Sequence, residues 1–132
     1  MKGDKAIALG LAVATAMAGA GCAVQPETPA VGVDKGRRVF ASRDQGHCVI
    51  CHTAPGITEA GNFGPPLAGV GSRLTADQIR VRIEDITRVS PDAVMPAFRK
   101  IDGNRVAVAY DGRPLLTAPQ VEDLVAYLAT LK

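Results

Sequence analysis

Tryptophan is absent from this 132-residue sequence, and aromatic residues make up only 4% of it, as three Phe and two Tyr. Aromatic side chains bury about 150–250 Å² each, so a core built from protein alone is short of bulk, and something else is expected to fill it. A formal net charge of +2, from 15 basic against 13 acidic residues, is too small to make a basic stripe. Nucleic acid is thereby excluded as a partner. Charged residues at 21% and hydrophobic residues at 47% exclude a disordered chain, and the length allows one small domain. The apolar stretch Ala6–Ala20 is 15 residues long. At about 1.5 Å per residue it spans ~22 Å, short of the ~30 Å hydrocarbon core, which makes a permanent transmembrane helix the poorer reading, with an uncleaved hydrophobic tail as the alternative.

Lys2 and Lys5 precede that stretch and small residues close it, which is the pattern of a signal peptide over residues 1–22. Two processing readings stand side by side. Ala18-Gly19-Ala20 is a small-x-small cleavage site, whereas Ala20-Gly21-Cys22 is a lipobox-like segment with Gly19 where leucine is usual. Either one places the folded part in the periplasm, and a lipid anchor follows only if Cys22 is lipidated. Gln25-Pro26-Glu27-Thr28-Pro29 lacks periodicity and carries two prolines, so residues 23–33 are read as a linker and residues 34–132 as the folded domain. No internal repeat is evident.

Within the domain, Asp34 is a candidate cap for a short helix through Phe40 and Ala41, with Val39 and Phe40 facing inward. Thr75-Ala76-Asp77-Gln78 fits a capping box and is followed by Ile79, Ile83 and Ile86 at helical spacing, up to Ser90-Pro91. Thr117-Ala118-Pro119-Gln120 repeats the device. Glu122 and Asp123 are then expected in the positive first turn, and Val121, Leu124, Val125, Leu128 and Leu131 form one apolar stripe. The Gly- and Pro-rich segments 53–72 and 90–117 are suited to wrapping a cofactor. Val106, Val108 and Tyr110, between Asp102-Gly103 and Asp111-Gly112, suggest a short hairpin.

The most informative stretch is Cys48-Val49-Ile50-Cys51-His52. Cys-x-x-Cys-His is the covalent attachment pattern of c-type haem. Two thiols separated by two residues reach the two vinyl groups on one porphyrin edge, and the next residue sets its imidazole beneath the iron. Apart from Cys22 in the leader, these are the only cysteines, so no structural disulfide can form in the mature chain. A dithiol redox pair would want a βαβ context, and a zinc site would need about four convergent ligands, which His47 is too close in sequence to complete. His47 receives no role.

Met1 and Met17 lie in the leader, so Met95 is the only methionine of the mature domain. A lone methionine is ordinarily core filler. Pro91 and Pro96 bracket this one, and a proline-stiffened loop is suited to holding a thioether against iron; His52/Met95 axial ligation of one haem c follows by elimination. Downstream of His52, Gly64-Pro65-Pro66-Leu67 offers the Pro65 carbonyl to accept the imidazole Nδ1 proton. Arg73 is the candidate partner of a haem propionate, with an ordinary solvated arginine as its rival reading.

Together the haem motif, Gly64-Pro65-Pro66-Leu67, the methionine loop and the C-terminal helix resemble class I cytochromes c, in the same order along the chain. The sequence is similar, more narrowly, to the SoxX family, the single-haem subunits of SoxAX complexes in bacterial thiosulfate oxidation. That likeness rests on Gly46–His52, Gly61–Leu67, Val94–Phe98, Gly103–Val106, and Gly112–Thr117 running into Val121–Leu128. The resemblance implies a compact all-α fold around one haem, with the first and last helices packed together. It also implies a SoxA-like cytochrome partner and transient contacts with a SoxYZ carrier and an acceptor cytochrome. In that family the complex couples thiosulfate to a carrier cysteine, as an L-cysteine S-thiosulfotransferase, and the bond-forming haem belongs to SoxA, which uses a cysteine ligand. This mature chain has no cysteine to spare, so it would be the electron-transfer subunit, with residues 99–116 as a candidate docking segment. The rival functions are a free-standing or membrane-tethered electron shuttle to an oxidase or other periplasmic enzyme, and a haem enzyme or gas sensor whose Met95 leaves the iron.

Overall fold

The structure, a computed structural model, describes residues 29–102 and 112–132. Its elements are helix α1 (Pro29–Ala41), a 3-10 turn (Cys48–Ile50), the short helix α2 (Val70–Arg73), α3 (Ala76–Glu84), a second 3-10 turn (Ile86–Arg88) and α4 (Ala118–Thr130). No strand occurs among the described residues, in keeping with the expected all-α fold. The suggested hairpin around Val106 to Tyr110 lies outside the described residues. No helix among them is long and apolar enough to cross a membrane.

Helix α1 begins five residues before the expected cap, so Asp34 is an interior residue and residues 29–33, assigned above to the linker, are helical. The reason is positional. Proline blocks a helix from inside but suits its first turn, where the missing N–H would have had no partner and φ is already helical. Pro29 occupies that first position.

Helices α1 and α4 form the largest packing interface of the fold. They cross at Gly36, where a Cβ would stand 1.9 Å from the Asp123 carbonyl oxygen and 2.8 Å from Tyr127 Cβ. Only a residue without a side chain lets two backbones meet this closely. One turn on, Phe40 lies on Tyr127 with ring centroids 5.7 Å apart and planes at 59°, a tilted pairing that aromatic quadrupoles favour. Val39 and Phe40 are buried as expected, and so is the apolar stripe of α4. Tyr127, outside that stripe, is buried as well, and its hydroxyl has no hydrogen-bond partner among the described residues.

Both capping boxes form. Thr75 Oγ1 accepts from the Gln78 N–H at 3.2 Å while Gln78 Oε1 accepts from the Thr75 N–H at 2.9 Å. Thr117 and Gln120 do the same for α4. Glu122 and Asp123 lie beyond the first turn of α4, contrary to the sequence reading, because capping starts that helix at Ala118. Glu122 instead accepts both Arg80 Nε (2.7 Å) and Nη2 (2.8 Å), joining α3 to α4. Ile86 is not a third turn of α3. The helix stops at Asp85, whose extended backbone and side chain start the separate turn Ile86–Arg88. At the other end of α4, the Gly71 N–H donates to the Leu131 carbonyl at 2.9 Å and fastens α2 there.

Candidate haem site

Chain geometry around Cys48–His52 begins with His47, whose left-handed backbone (φ 56°) turns the chain out of the segment after α1. The 3-10 turn that follows brings both cysteines and His52 onto one short loop: Ile50 N–H bonds the His47 carbonyl at 3.0 Å and His52 N–H the Cys48 carbonyl at 2.9 Å. Val49 points into the core, and Ile50 is exposed. Burial pushes the Cys48 thiol up to about 12, and it donates to the Gly46 carbonyl at 3.4 Å. No group of three or more His, Cys, Asp or Glu able to hold a metal ion occurs among the described residues, which leaves zinc without a cage there.

Residues 61–67 run beside this loop and are tied to it by three backbone bonds: Gly61 N–H to Val49 O (2.7 Å), Gly64 N–H to Cys51 O (2.8 Å) and Leu67 N–H to Thr53 O (2.9 Å). That register delivers the Pro65 carbonyl to within 2.8 Å of His52 Nδ1. With the proton on Nδ1 donated to Pro65, Nε2 keeps its lone pair for a metal. Gly64 closes the other side of the ring. A Cβ there would come within 2.5 Å of Cε1, 2.7 Å of Nδ1 and 2.9 Å of Nε2. Gly61 is equally constrained, since its Cβ would meet the Ile50 carbonyl at 1.9 Å. The imidazole is thus fixed in rotation by one hydrogen bond and one close packing face, and the donor set fits a haem iron.

Met95 is half-buried and packs against the hydrophobic core, as do Cys48 and Leu67. Its loop is held at the far end, where Phe98 N–H bonds the Ile83 carbonyl (3.2 Å) and Arg99 N–H the Glu84 carbonyl (3.0 Å). Arg73 is exposed and donates from Nη1 to the Ala68 carbonyl at 2.7 Å. Sequence reasoning passed over Gly64 as a steric partner of His52, and over Asp85, which sits where α3 hands over to the methionine loop. The signal for Asp85 was present as Asp85-Ile86-Thr87, a capping pattern hidden inside what reads as one helix.

Comparison with known proteins places these features in a family. The family model for cytochrome c matches residues 33–132. Among solved structures, the chain is similar to the crystal structure of SoxXA from P. pantotrophus at 34% identity, over 76% of this chain and 81% of that one, with a TM-score of 0.68. It shares its fold with the c-type cytochrome SorU from Sinorhizobium meliloti at 20% identity, over 77% of this chain and 92% of that one, with a TM-score of 0.52. Comparison with curated protein sequences gives no match. With a cytochrome c match over residues 33–132 and a Cys48-x-x-Cys51-His52 loop that fits one covalently bound haem c, this chain belongs to the cytochrome c family, as a SoxX-like class I member.

Proposed function

We propose that the chain is the single-haem electron-transfer subunit of a SoxAX-like complex, accepting electrons released when thiosulfate is coupled oxidatively to a cysteine of a SoxYZ-type carrier. The observation that carries this reading is the 34% identity to SoxXA across 76% of the chain. A haem c supplies reversible one-electron chemistry at its iron. Cys48 and Cys51 hold it by thioether bonds, and His52, oriented by Pro65 and Gly64, offers Nε2 to the iron. Met95 would be the second ligand residue, and a thioether ligand would favour the ferrous state and raise the potential. Arg73 serves a propionate. With both thiols used in attachment, and Cys22 either removed with the leader or consumed by lipid, no free cysteine remains to act as a ligand of the bond-forming kind, so that site belongs to a SoxA-like partner. Residues 1–22 direct export to the periplasm, and Cys22, if lipidated, adds a membrane tether.

The test is purification of a C-terminally tagged copy from a thiosulfate-grown native host, followed by haem staining of a denaturing gel. A second, larger haem-bearing chain in fixed ratio is the expected result. One small stained band, reproducibly alone, refutes the complex and leaves the free shuttle. Absence of any stained band overturns covalent haem attachment.

A further inference from the structure

Residues 86–97, which contain Met95, form a loop that leaves the end of α3 and returns to it. The return is fixed in the backbone by Phe98 N–H to Ile83 O (3.2 Å) and Arg99 N–H to Glu84 O (3.0 Å). One side chain contacts both flanks of that loop. On the outgoing side, Asp85 Oδ1 accepts from the Thr87 N–H at 3.1 Å and from the Thr87 hydroxyl, starting the Ile86–Arg88 turn. On the incoming side, Asp85 Oδ2 lies 3.6 Å from Lys100 Nζ. The Asp85 side chain is 17% exposed, whereas that of Lys100 is 43% exposed, so the carboxylate sits inside the junction and the lysine closes over it. Beyond the junction, Arg99 Nη1 donates to the Leu116 carbonyl at 2.8 Å and the Leu116 N–H to the Phe98 carbonyl at 3.2 Å, anchoring the returning segment to the approach of α4.

We infer that Asp85 is a positioning residue for the distal ligand: a clasp that joins the two ends of the methionine loop and so sets how readily Met95 leaves the iron. This rests on the assignment of Met95 as ligand made above. A thioether is a weak ligand, and its occupancy depends on how far the loop is held in the bound shape without help from the metal. Residues 86–97 contribute two prolines, Pro91 and Pro96, that stiffen the loop locally. Stiffness alone does not fix the loop ends; the backbone bonds to Ile83 and Glu84 close them, and Asp85 adds charge-assisted hydrogen bonds from Thr87 on the outgoing flank and an ion pair with Lys100 on the incoming one. The carboxyl is held below its ordinary range, chiefly by the Thr87 hydroxyl and with a smaller contribution from Lys100, so the clasp is ionised at neutral pH. The capping pattern is local, but its closure onto Lys100 spans fifteen residues and is visible only in the folded chain.

The experiment is titration of the ferric holoprotein with exogenous imidazole, which binds only when Met95 has left, so the apparent Kd reports the closed-to-open ratio of the loop. Asp85→Ala is expected to lower that Kd by about tenfold, the size of one charged hydrogen bond. Asp85→Asn, which keeps an acceptor for Thr87 but loses the charge facing Lys100, and Lys100→Gln are each expected to lower it about threefold. Arg80→Met breaks the ion pair between α3 and α4 instead, and it is expected to lower the melting temperature without moving the imidazole Kd. Should Asp85→Ala fail to fold, Lys100→Gln, on the surface, decides the question. An Asp85→Ala or Lys100→Gln Kd equal to wild type overturns the clasp, as does an Arg80→Met shift of the same size. A wild-type ferric spectrum without the methionine–iron charge-transfer band, together with an imidazole Kd unmoved by Met95→Ala, overturns the ligand assignment itself. A band present with an unmoved Asp85→Ala removes the clasp alone.

Discussion

Gly36→Ala is the smallest perturbation that interrogates the crossing of α1 and α4. In an exposed helix interior this change stabilises by about 1 kcal/mol, because alanine is the better helix former. At Gly36 the added methyl would lie 1.9 Å from the Asp123 carbonyl oxygen, 2.5 Å from its carbon and 2.8 Å from Tyr127 Cβ. None of these is the far end of a flexible side chain, so no rotamer change relieves the collision. To restore a normal contact of about 3.5 Å the helices must part by more than ~1 Å, and that opens the Phe40–Tyr127 pair and the packing of Val39 and Leu124 around it. Overpacking costs typically 1–3 kcal/mol, and with backbone on both sides this site belongs at the top of that range. Subtracting the propensity gain leaves a net loss of ~2 kcal/mol, or roughly 8–16 °C in melting temperature for a domain of this size. The assay is thermal and guanidinium unfolding of the oxidised holoprotein, followed by circular dichroism and by the haem absorbance. A variant as stable as wild type, or more so, would show that propensity prevails and that the helices do not meet backbone to backbone at Gly36.

The other predictions concern single contacts. Gly64→Ala places a methyl within 2.5–2.9 Å of three ring atoms of His52; the ring must turn, the Nδ1–Pro65 bond lengthens, and the reduction potential and the His52 ring-proton NMR shifts both move, while unchanged shifts would refute the contact. Tyr127→Phe removes a buried hydroxyl that has no partner among the described residues, so stability is expected to stay level or rise by up to about 1 kcal/mol in denaturant titrations; a loss of 1 kcal/mol or more would reveal a partner for it. Arg80→Met costs less than about 1 kcal/mol near neutral pH because the pair with Glu122 is solvent-exposed. Arg80 holds the Glu122 carboxyl below its ordinary range, so this contribution is complete above the unfolded carboxylate value of roughly 4.3 and is lost as pH falls through the lower folded value. The stability difference between wild type and Arg80→Met should therefore close in acid, and a difference that widened there would contradict the assignment.

The parts of this molecule that could be read without a structure are those whose determinants lie within a few residues of one another. Cys48-Val49-Ile50-Cys51-His52 specifies its cofactor because the porphyrin's own dimensions set the spacing. Thr75 and Thr117 announce their helices because a capping box closes within one turn. The inward faces of α1 and α4 follow from helical periodicity, and the all-α class from the resemblance to class I cytochromes c. Where local signals misled, a neighbouring signal competed with them: Pro29 read as a helix breaker when it begins α1, and Asp85 lay hidden in an apolar spacing that ran on to Ile86. What only the tertiary structure decided are contacts between residues far apart in the chain. Gly36 is a glycine because of Asp123 and Tyr127, and Gly64 because of the imidazole of His52. Pro65 was the expected acceptor for His52 from the sequence, but the register that brings it there is set by three backbone bonds between residues 61–67 and residues 49–53. Asp85 meets Lys100 because the methionine loop returns to the end of α3. Local chemistry chose the cofactor and the helices, whereas the orientation of its ligands depends on backbone approaches that no short stretch of sequence encodes.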